Sequence, residues 1–325
     1  MEPLSRNQVG AALEIVSGDL ARVEQILTDG ATGATSFLTE STTYLMRAGG
    51  KRLRPAVMVL ASRLGPLGTS LDVCKTAAAI EMTHLATLYH DDVIDEADLR
   101  RGVPSVNEKW GNTVAILAGD YLFARSSSIA AEVGGEVPTV LADAIAEVVQ
   151  GQVRELESAY DVRRTSEHYL TTIREKTAAL IEAATRLGAS LSGCKAHEVH
   201  ALRDFGDAFG MAFQLADDLL DLAAKEEELG KPPGTDLRDG VYTLPVIYAL
   251  ESDPALEVCI GNPQPDIDAV RAGVLESGAF ERTLALAEQH AQRALATLDG
   301  MPSNDARSSL ERLTRLIVDR VPALE

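Results

Sequence analysis

Aromatic side chains make up only 4% of this chain of 325 residues, cysteines number three, and basic residues are in the minority. Each shortage excludes something. Cys74, Cys194 and Cys259 lie far apart with no C-x-x-C pair. That argues against a disulfide framework and for a reduced, cytoplasmic setting. Thirty Lys and Arg against 49 Asp and Glu leave a net charge of −19. This is the wrong sign for gripping nucleic-acid phosphates or for docking on an anionic membrane. No apolar run reaches the roughly 18 residues expected of a transmembrane helix. The opening MEPLSRNQVGAALEIV lacks the basic-then-apolar pattern of a secretory signal.

What the chain has is helical periodicity. Apolar residues recur three and four apart over 13–27, 55–64, 72–95, 113–131, 136–158, 166–191, 197–224, 241–251 and 281–299. Ala, Leu and Glu abound, and strand-type alternation is scarce. Gly- and Pro-bearing stretches such as RAGGKRLRP (47–55), RRGVPS (100–105) and LGKPPGTDLRDG (229–240) predict loops. None is long enough to be a flexible linker, so residues 1–325 are expected to form one all-α domain.

The sharpest local feature is LYHDDVIDEADLRRG (88–102), with five acidic side chains and two arginines beside apolar neighbours. It has an echo: DDVID at 91–95 returns as DDLLD at 217–221, each late in a long helical pattern. On a helix Asp91 and Asp95 share a face, with Asp92 one step round; Asp217, Asp218 and Asp221 repeat the arrangement. Carboxylates so placed repel one another. A single acidic run is ordinarily a solvated helix face. Two copies are far rarer by chance, and each adjoins apolar residues (Val93, Ile94; Leu219, Leu220), which implies partial burial. A divalent cation relieves both repulsion and burial. The oxygen-only donor set suits Mg²⁺ or Mn²⁺ rather than zinc. Mg²⁺ fills its shell with water and substrate phosphate, so a phosphate-bearing substrate between two facing helices is predicted. A calcium loop counted from Asp91 fails: its third position is Val93 and its sixth Glu96, where Gly is needed.

The basic residues are few and clustered. GGKRLRP (49–55) crowds Lys51, Arg52 and Arg54 against the start of a helix with Pro55 in its first turn. The macrodipole disfavours cations there, so anion capture explains the placement better than stability does. Arg100 and Arg101 follow the first acidic motif, where pairing with Asp95, Glu96 or Asp98 is the ordinary alternative. Lys231 sits in a Gly/Pro-rich loop beyond the second motif, and such loops can close as lids. Lys176 and Thr177 interrupt an otherwise small, apolar helix. His84 lies two turns before Asp91 on one face, and Gln214 stands three before Asp217.

Three classes compete on these residues. One is a metal-dependent transferase acting on diphosphates. Another is a His-Asp metal phosphohydrolase suggested by His90-Asp91, although only six histidines are present and DDLLD goes unexplained. The third is a non-catalytic helical scaffold or partner subunit, which leaves the basic loops without a purpose.

GGKRLRP, EMTHLATLYHDDVIDEADLRRGVPSVNEKWGN (81–112), LAGDYLFAR (117–125), EKTAALIEAA (175–184), FGMAFQLADDLLD (209–221) and GKPPGTDLRDG (230–240) occur in this order. Together they resemble the trans-type polyprenyl (isoprenyl) diphosphate synthases. The resemblance implies an isoprenoid-synthase bundle of helices around a central cavity, in a homodimer. It implies head-to-tail addition of isopentenyl diphosphate to an allylic diphosphate. Asp91, Asp92, Asp95, Asp217, Asp218 and Asp221 would hold Mg²⁺ on the allylic diphosphate, with Arg100, Lys176 and Lys231 binding the same group. Lys51, Arg54, His84 and Arg101 would bind isopentenyl diphosphate. Thr177 and Gln214 would line the reacting centre with Lys176. In the family, bulky residues four and five positions before the first motif stop chain growth; Thr87 and Ala86 stand there, with Thr83 a turn below, which implies products of geranylgeranyl length or longer. Two departures remain. Val241 replaces the lysine that often follows DLRDG, and the C-terminal RVPALE lacks the basic tail of some members.

Overall fold

The computed structural model describes residues 6–223, 234–260 and 265–322, with side chains from Gly10 onward. The helices are α1 (Arg6–Leu13), α2 (Ser17–Ala31), α3 (Ser36–Arg47), α4 (Leu53–Ser62), α5 (Leu71–Ile94), α6 (Val106–Trp110), α7 (Asn112–Val133), α8 (Val137–Glu157), α9 (Ser166–Ile173), α10 (Ala179–Leu191), α11 (Ala196–Ala223), α12 (Thr235–Arg238), α13 (Leu244–Ser252), α14 (Glu257–Ile260), α15 (Ile267–Glu276), α16 (Ala279–Thr297) and α17 (Asp305–Asp319). A π-helical turn, Arg174–Ala178, joins α9 to α10. The all-α expectation holds. The helices α3, α15 and α17, the short α6, α12 and α14, and α1 apart from its last residue fall outside the stretches that apolar spacing marked. α3 is rich in Ser and Thr, yet Thr35 caps it by accepting from the Leu38 N–H at 3.1 Å. No described helix is long and apolar enough to cross a membrane.

One short β-ribbon stands where a loop was expected. Leu99–Arg100 and Val103–Pro104 pair antiparallel, Leu99 opposite Pro104 and Arg100 opposite Val103. Its two turn residues, Arg101 and Gly102, both have positive φ, 55° and 76°. That is the twist a two-residue hairpin requires. Cys74, Cys194 and Cys259 are free thiols.

α5 is the central element. Residues on every side of it are buried, and α2, α4, α7 and α10 all pack on it. A helix apolar all round belongs in the interior, and Ala77, Ala78 and Ala79 let neighbouring backbones close in. α11 plays the same part for the second half, against α10, α16 and α17. The core accordingly forms two apolar clusters. The larger gathers α2, α4, α5, α7 and α10; the smaller joins Tyr169, Leu215 and Leu219 to α13, α15 and α16. Asp95 at the end of α5 and Asp218 near the end of α11 line one cavity.

Close packing at glycine fixes the helix spacing. A Cβ on Gly188 of α10 would lie 2.4 Å from the Met58 carbonyl oxygen of α4, and one on Gly210 of α11 would lie 2.6 Å from the Ala178 Cα. Backbone cannot yield as a side chain can. Gly188→Ala is therefore expected to cost about 1–3 kcal/mol in chemical denaturation. Gly18→Ala, on an open face of α2 with nothing within 4 Å, should be neutral or stabilising by up to about 1 kcal/mol.

Candidate active site

Asp91 and Asp92 occupy the last turn of α5, and Asp95 is its C-cap. Asp217, Asp218 and Asp221 occupy the final two turns of α11. Carboxylates are unfavourable at a helix C-terminus, where the macrodipole is already negative. Asp95 and Asp218 nevertheless border one cavity of about 420 Å³, together with Lys176, Thr177 and Gln214. The two acidic motifs thus face a common space.

Protein groups hold these carboxylates meanwhile. Asp92 has no exposed surface; its Oδ1 accepts from Arg100 Nε at 2.6 Å, and its Oδ2 has no hydrogen-bond partner. The ordinary partners expected for Arg100 were Asp95, Glu96 or Asp98; the β-ribbon instead turns its side chain back to Asp92. Burial lifts the Asp91 carboxyl to about 6, with Lys176 opposing the shift. Burial raises Asp92 and Asp95 as well. Asp217 pairs with Arg320 at 2.8 Å. Asp218 accepts from the Tyr169 hydroxyl and, at 2.8 Å, from Gln214 Nε2; burial still drives its carboxyl well upward. Asp221 is buried and accepts from the Asp236 N–H at 3.3 Å. Among the described residues no three acidic, His or Cys side chains converge closely enough to form a ready-made metal cage.

The donor set nonetheless fits hard divalent cations. Every candidate ligand atom is a carboxylate oxygen, and one of them, Asp92 Oδ2, is buried without a partner. Burial makes Asp91, Asp92, Asp95 and Asp218 easier to protonate than an ordinary aspartate, a penalty that a bound cation would relieve.

Lys176 and Thr177 lie in the π-helical turn. A π turn inserts an extra residue into the helical ladder and redirects the side chains within it, and such turns recur at functional sites. Here α8 presses on the turn: a Cβ on Gly151 would lie 2.6 Å from the Lys176 backbone nitrogen. Lys176 Nζ is bonded to Glu155. The Thr177 hydroxyl donates to Gln214 Oε1 at 2.7 Å. Thr177, Gln214, Asp218 and Tyr169 therefore form one continuous hydrogen-bonded chain along the cavity wall.

The basic loop forms a second centre beside the first. Gly49, Gly50 and Arg52 have positive φ of 103°, 149° and 47°, so the loop coils tightly before α4. Arg52 serves structure, pairing with Glu24 at 2.8 Å and with buried Glu81 at 3.4 Å. The Arg101 guanidinium donates to the Leu45 carbonyl at 2.8 Å and to the Gly49 carbonyl. Arg54 has a buried Nε without a partner. Burial, then the fields of Arg54 and Arg101, hold His84 well below the usual imidazole range, so it is neutral. Burial and the Arg320 charge lower Lys51, while Asp217 opposes them. Arg54, His84 and Arg101 are thus close enough to share one field, while Lys51 stands with Arg320 and Asp217. Lys231 lies outside the described residues.

Thr83, Ala86 and Thr87 do not line the cavity. Thr83 Oγ1 is 2.8 Å from Ser126 Oγ of α7, Ala86 has no exposed surface, and Thr87 Oγ1 donates to the His84 carbonyl at 2.8 Å. Tyr89 turns away to α3, donating to the Ser41 carbonyl at 2.7 Å. The His-Asp phosphohydrolase reading fails here. His90 Nε2 lies 3.2 Å from the Ile116 carbonyl and its ring packs on Phe123, on the side facing α7.

Some residues of the site were not anticipated. Tyr169 stands seven before Lys176, the spacing of one helix face, which was the available signal. Glu155 offered none beyond an ordinary surface carboxylate. Arg320, the one basic residue of RVPALE, was not singled out: its guanidinium reaches Asp217 and lies 4.9 Å from the centre of the Phe213 ring. Val241 does border the cavity, an apolar surface where a cation was expected.

Comparison with known proteins places this geometry. The family model described as polyprenyl synthetase matches residues 35–275. The nonaprenyl diphosphate synthase of Mycobacterium tuberculosis is 42% identical over 312 residues, covering 94% of this chain and 93% of the relative. The heptaprenyl diphosphate synthase component 2 of Geobacillus stearothermophilus is 42% identical over 317 residues, covering 95% and 98%. Among solved structures, the polyprenyl synthase of Caulobacter crescentus, complexed with calcium and isoprenyl diphosphate, superposes with a TM-score of 0.91 at 36% identity, covering 97% of this chain and 98% of that one. The chain belongs to the polyprenyl synthetase family and is a prenyltransferase.

Proposed function

We propose that this prenyltransferase adds isopentenyl diphosphate head-to-tail to an allylic diphosphate in the cavity between α5 and α11, with Mg²⁺ as its metal. The observation that carries the proposal is the pairing of Asp95 and Asp218, from the two acidic motifs, in one wall with Lys176. Asp91, Asp92, Asp95, Asp217, Asp218 and Asp221 would hold the ions. Bound Mg²⁺ supplies Lewis-acid neutralisation of charge on a diphosphate leaving group.

The chain's own residues do the rest. Lys176 Nζ and Arg100 face the carboxylates and bring positive charge to the leaving oxygen as the allylic C–O bond breaks. Lys51, Arg54 and Arg101 hold isopentenyl diphosphate. Neutral His84 serves as a hydrogen-bond group there, adding no charge. The double bond of isopentenyl diphosphate attacks the allylic cation, and loss of a proton completes the new double bond. Thr177 and Gln214 fix the wall at the reacting centre, while Ile94, Leu156 and Ile173 keep it apolar and exclude water. A family resemblance assigns proton acceptance to the released diphosphate, and the cavity's histidine-free lining agrees with that.

Product length of C20 or more follows from the small residues between α5 and α7. A growing chain would have to part the packed Thr83–Ser126 contact and pass fully buried Ala86, where the side chains are small. A single helical domain acting as a cytoplasmic homodimer completes the proposal. Exposed Ile116 and Leu117 of α7 and Val149 and Val153 of α8 offer its apolar face.

The direct test is incubation with isopentenyl diphosphate, a set of allylic diphosphates and Mg²⁺. Release of inorganic diphosphate with polyprenyl products is expected; release of orthophosphate alone would refute the reading. Ala86→Phe should shorten the products while the protein stays folded by circular dichroism. Unchanged length would remove the proposed path. The pH dependence has a defined sign. Between the ordinary aspartate range and about pH 6, folded protein retains a proton on Asp91 that the unfolded chain has lost, so this group's contribution to metal-free stability falls as pH rises through that window. Mg²⁺ with diphosphate should therefore raise Tm more at pH 7.5 than at pH 5, and Asp91→Asn should flatten that difference.

A further inference from the structure

The cavity wall contains a cation that the proposed mechanism leaves unused. Arg164 precedes α9 and borders the cavity, yet its side chain is only 6% exposed. Its Nη1 donates to the Tyr242 carbonyl at 3.2 Å, and its guanidinium lies 5.5 Å from the centre of the Tyr169 ring. Nε and Nη2 have no hydrogen-bond partner. Tyr169 is the residue whose hydroxyl donates to Asp218. The arginine is therefore anchored by one nitrogen and one stacked ring, next to the second acidic motif.

Burying guanidinium N–H groups unsatisfied is costly, because an arginine stays charged and cannot shed the problem by losing its proton. The only other cation lining the described cavity, Lys176, is already bonded to Glu155. Val241, also in the lining, supplies no charge. In the same wall the Gln152 amide is also buried with both its polar atoms unpartnered. Unmade donors in a wall otherwise rich in carboxylates call for a ligand with several anionic oxygens. A guanidinium edge matches two oxygens of such a group at once.

We propose that Arg164 is a binding residue for the allylic diphosphate, its Nε–H and Nη2–H edge donating to phosphate oxygens of the substrate and of the inorganic diphosphate released from it. The inference rests on the prenyl-transfer reading of this cavity, and it adds a contact from the segment before α9 that neither acidic motif nor basic loop supplies. Anchoring through Tyr242 and Tyr169 holds the edge in place before substrate arrives, which limits the ordering cost of binding.

Calorimetry with inorganic diphosphate and Mg²⁺ tests it on the full chain. Relative to the unaltered protein, Arg164→Met should weaken diphosphate binding at least about tenfold, with Arg164→Lys intermediate because it keeps charge but loses the fork. KM for the allylic diphosphate should rise while KM for isopentenyl diphosphate stays within about twofold. Unchanged diphosphate affinity in Arg164→Met, or an equal rise in both KM values, overturns the assignment. Should Arg164→Met fail to fold, the ¹⁵N-edited Nε–H resonance absent from Arg164→Lys decides in the unaltered protein. It should shift on titration with Mg²⁺ and diphosphate, and a fixed resonance under saturation overturns the contact. An unaltered protein that binds no diphosphate sinks the prenyl-transfer reading itself along with this one.

Discussion

Electrostatic repulsion within the wall of one cavity is the constraint around which the molecule is organised. Two helices end in aspartates, against their own dipoles, and both ends face the same space. Asp92 and Asp218 are buried there, and Asp91 is shifted to about 6 by that burial. Nothing about folding alone rewards this arrangement. It becomes intelligible as a site that stores unfavourable charge until cations and a diphosphate enter. The surrounding helices must be stiff enough to keep the carboxylates from swinging into water, and the glycine-mediated contacts of α10 with α4 and of α11 with Ala178 supply that stiffness.

Opposite charge is distributed with equal care. Arg100, Lys176 and Arg320 each meet an acidic partner, Asp92, Glu155 and Asp217 in turn. Glu81 lies at the middle of the second cluster, where burial raises its carboxyl and Arg52, Arg54 and Arg101 oppose the rise. A net charge of −19 makes these few cations conspicuous, since elsewhere the surface repels anionic substrates.

The acidic motifs, the basic loop and the all-α class were readable because each has a short-range signature: spacing on one face, clustered charge, uninterrupted helical period. The residues that the sequence did not disclose act across distance. Tyr169 and Arg320 reach Asp218 and Asp217 from segments 49 and 103 positions away, and no local pattern encodes such a pairing. The β-ribbon escaped notice because its strands are two residues long. Its turn, Arg101-Gly102, has the Gly that such turns use, but the reading of RRG was absorbed by charge. Helices α3 and α17 escaped for a different reason. Ser41, Thr42 and Thr43 fill part of the buried face of the first; the second has a clear buried face of Ala306, Leu310, Leu313 and Ile317, but charged residues between them lower its overall apolar content, while caps at Thr35 and Asn304 fix the starts of both.

The π-helical turn between α9 and α10 carries a consequence beyond its residues. One surplus position there sets the rotational phase of everything on either side. Removing it would turn α9 by about 100° relative to α10, swinging Tyr169 off Asp218 while leaving every side chain unchanged in identity. Segment length in this part of the polypeptide is therefore as much a determinant of catalytic geometry as composition. A one-residue deletion would be more damaging than most replacements of the residues it displaces.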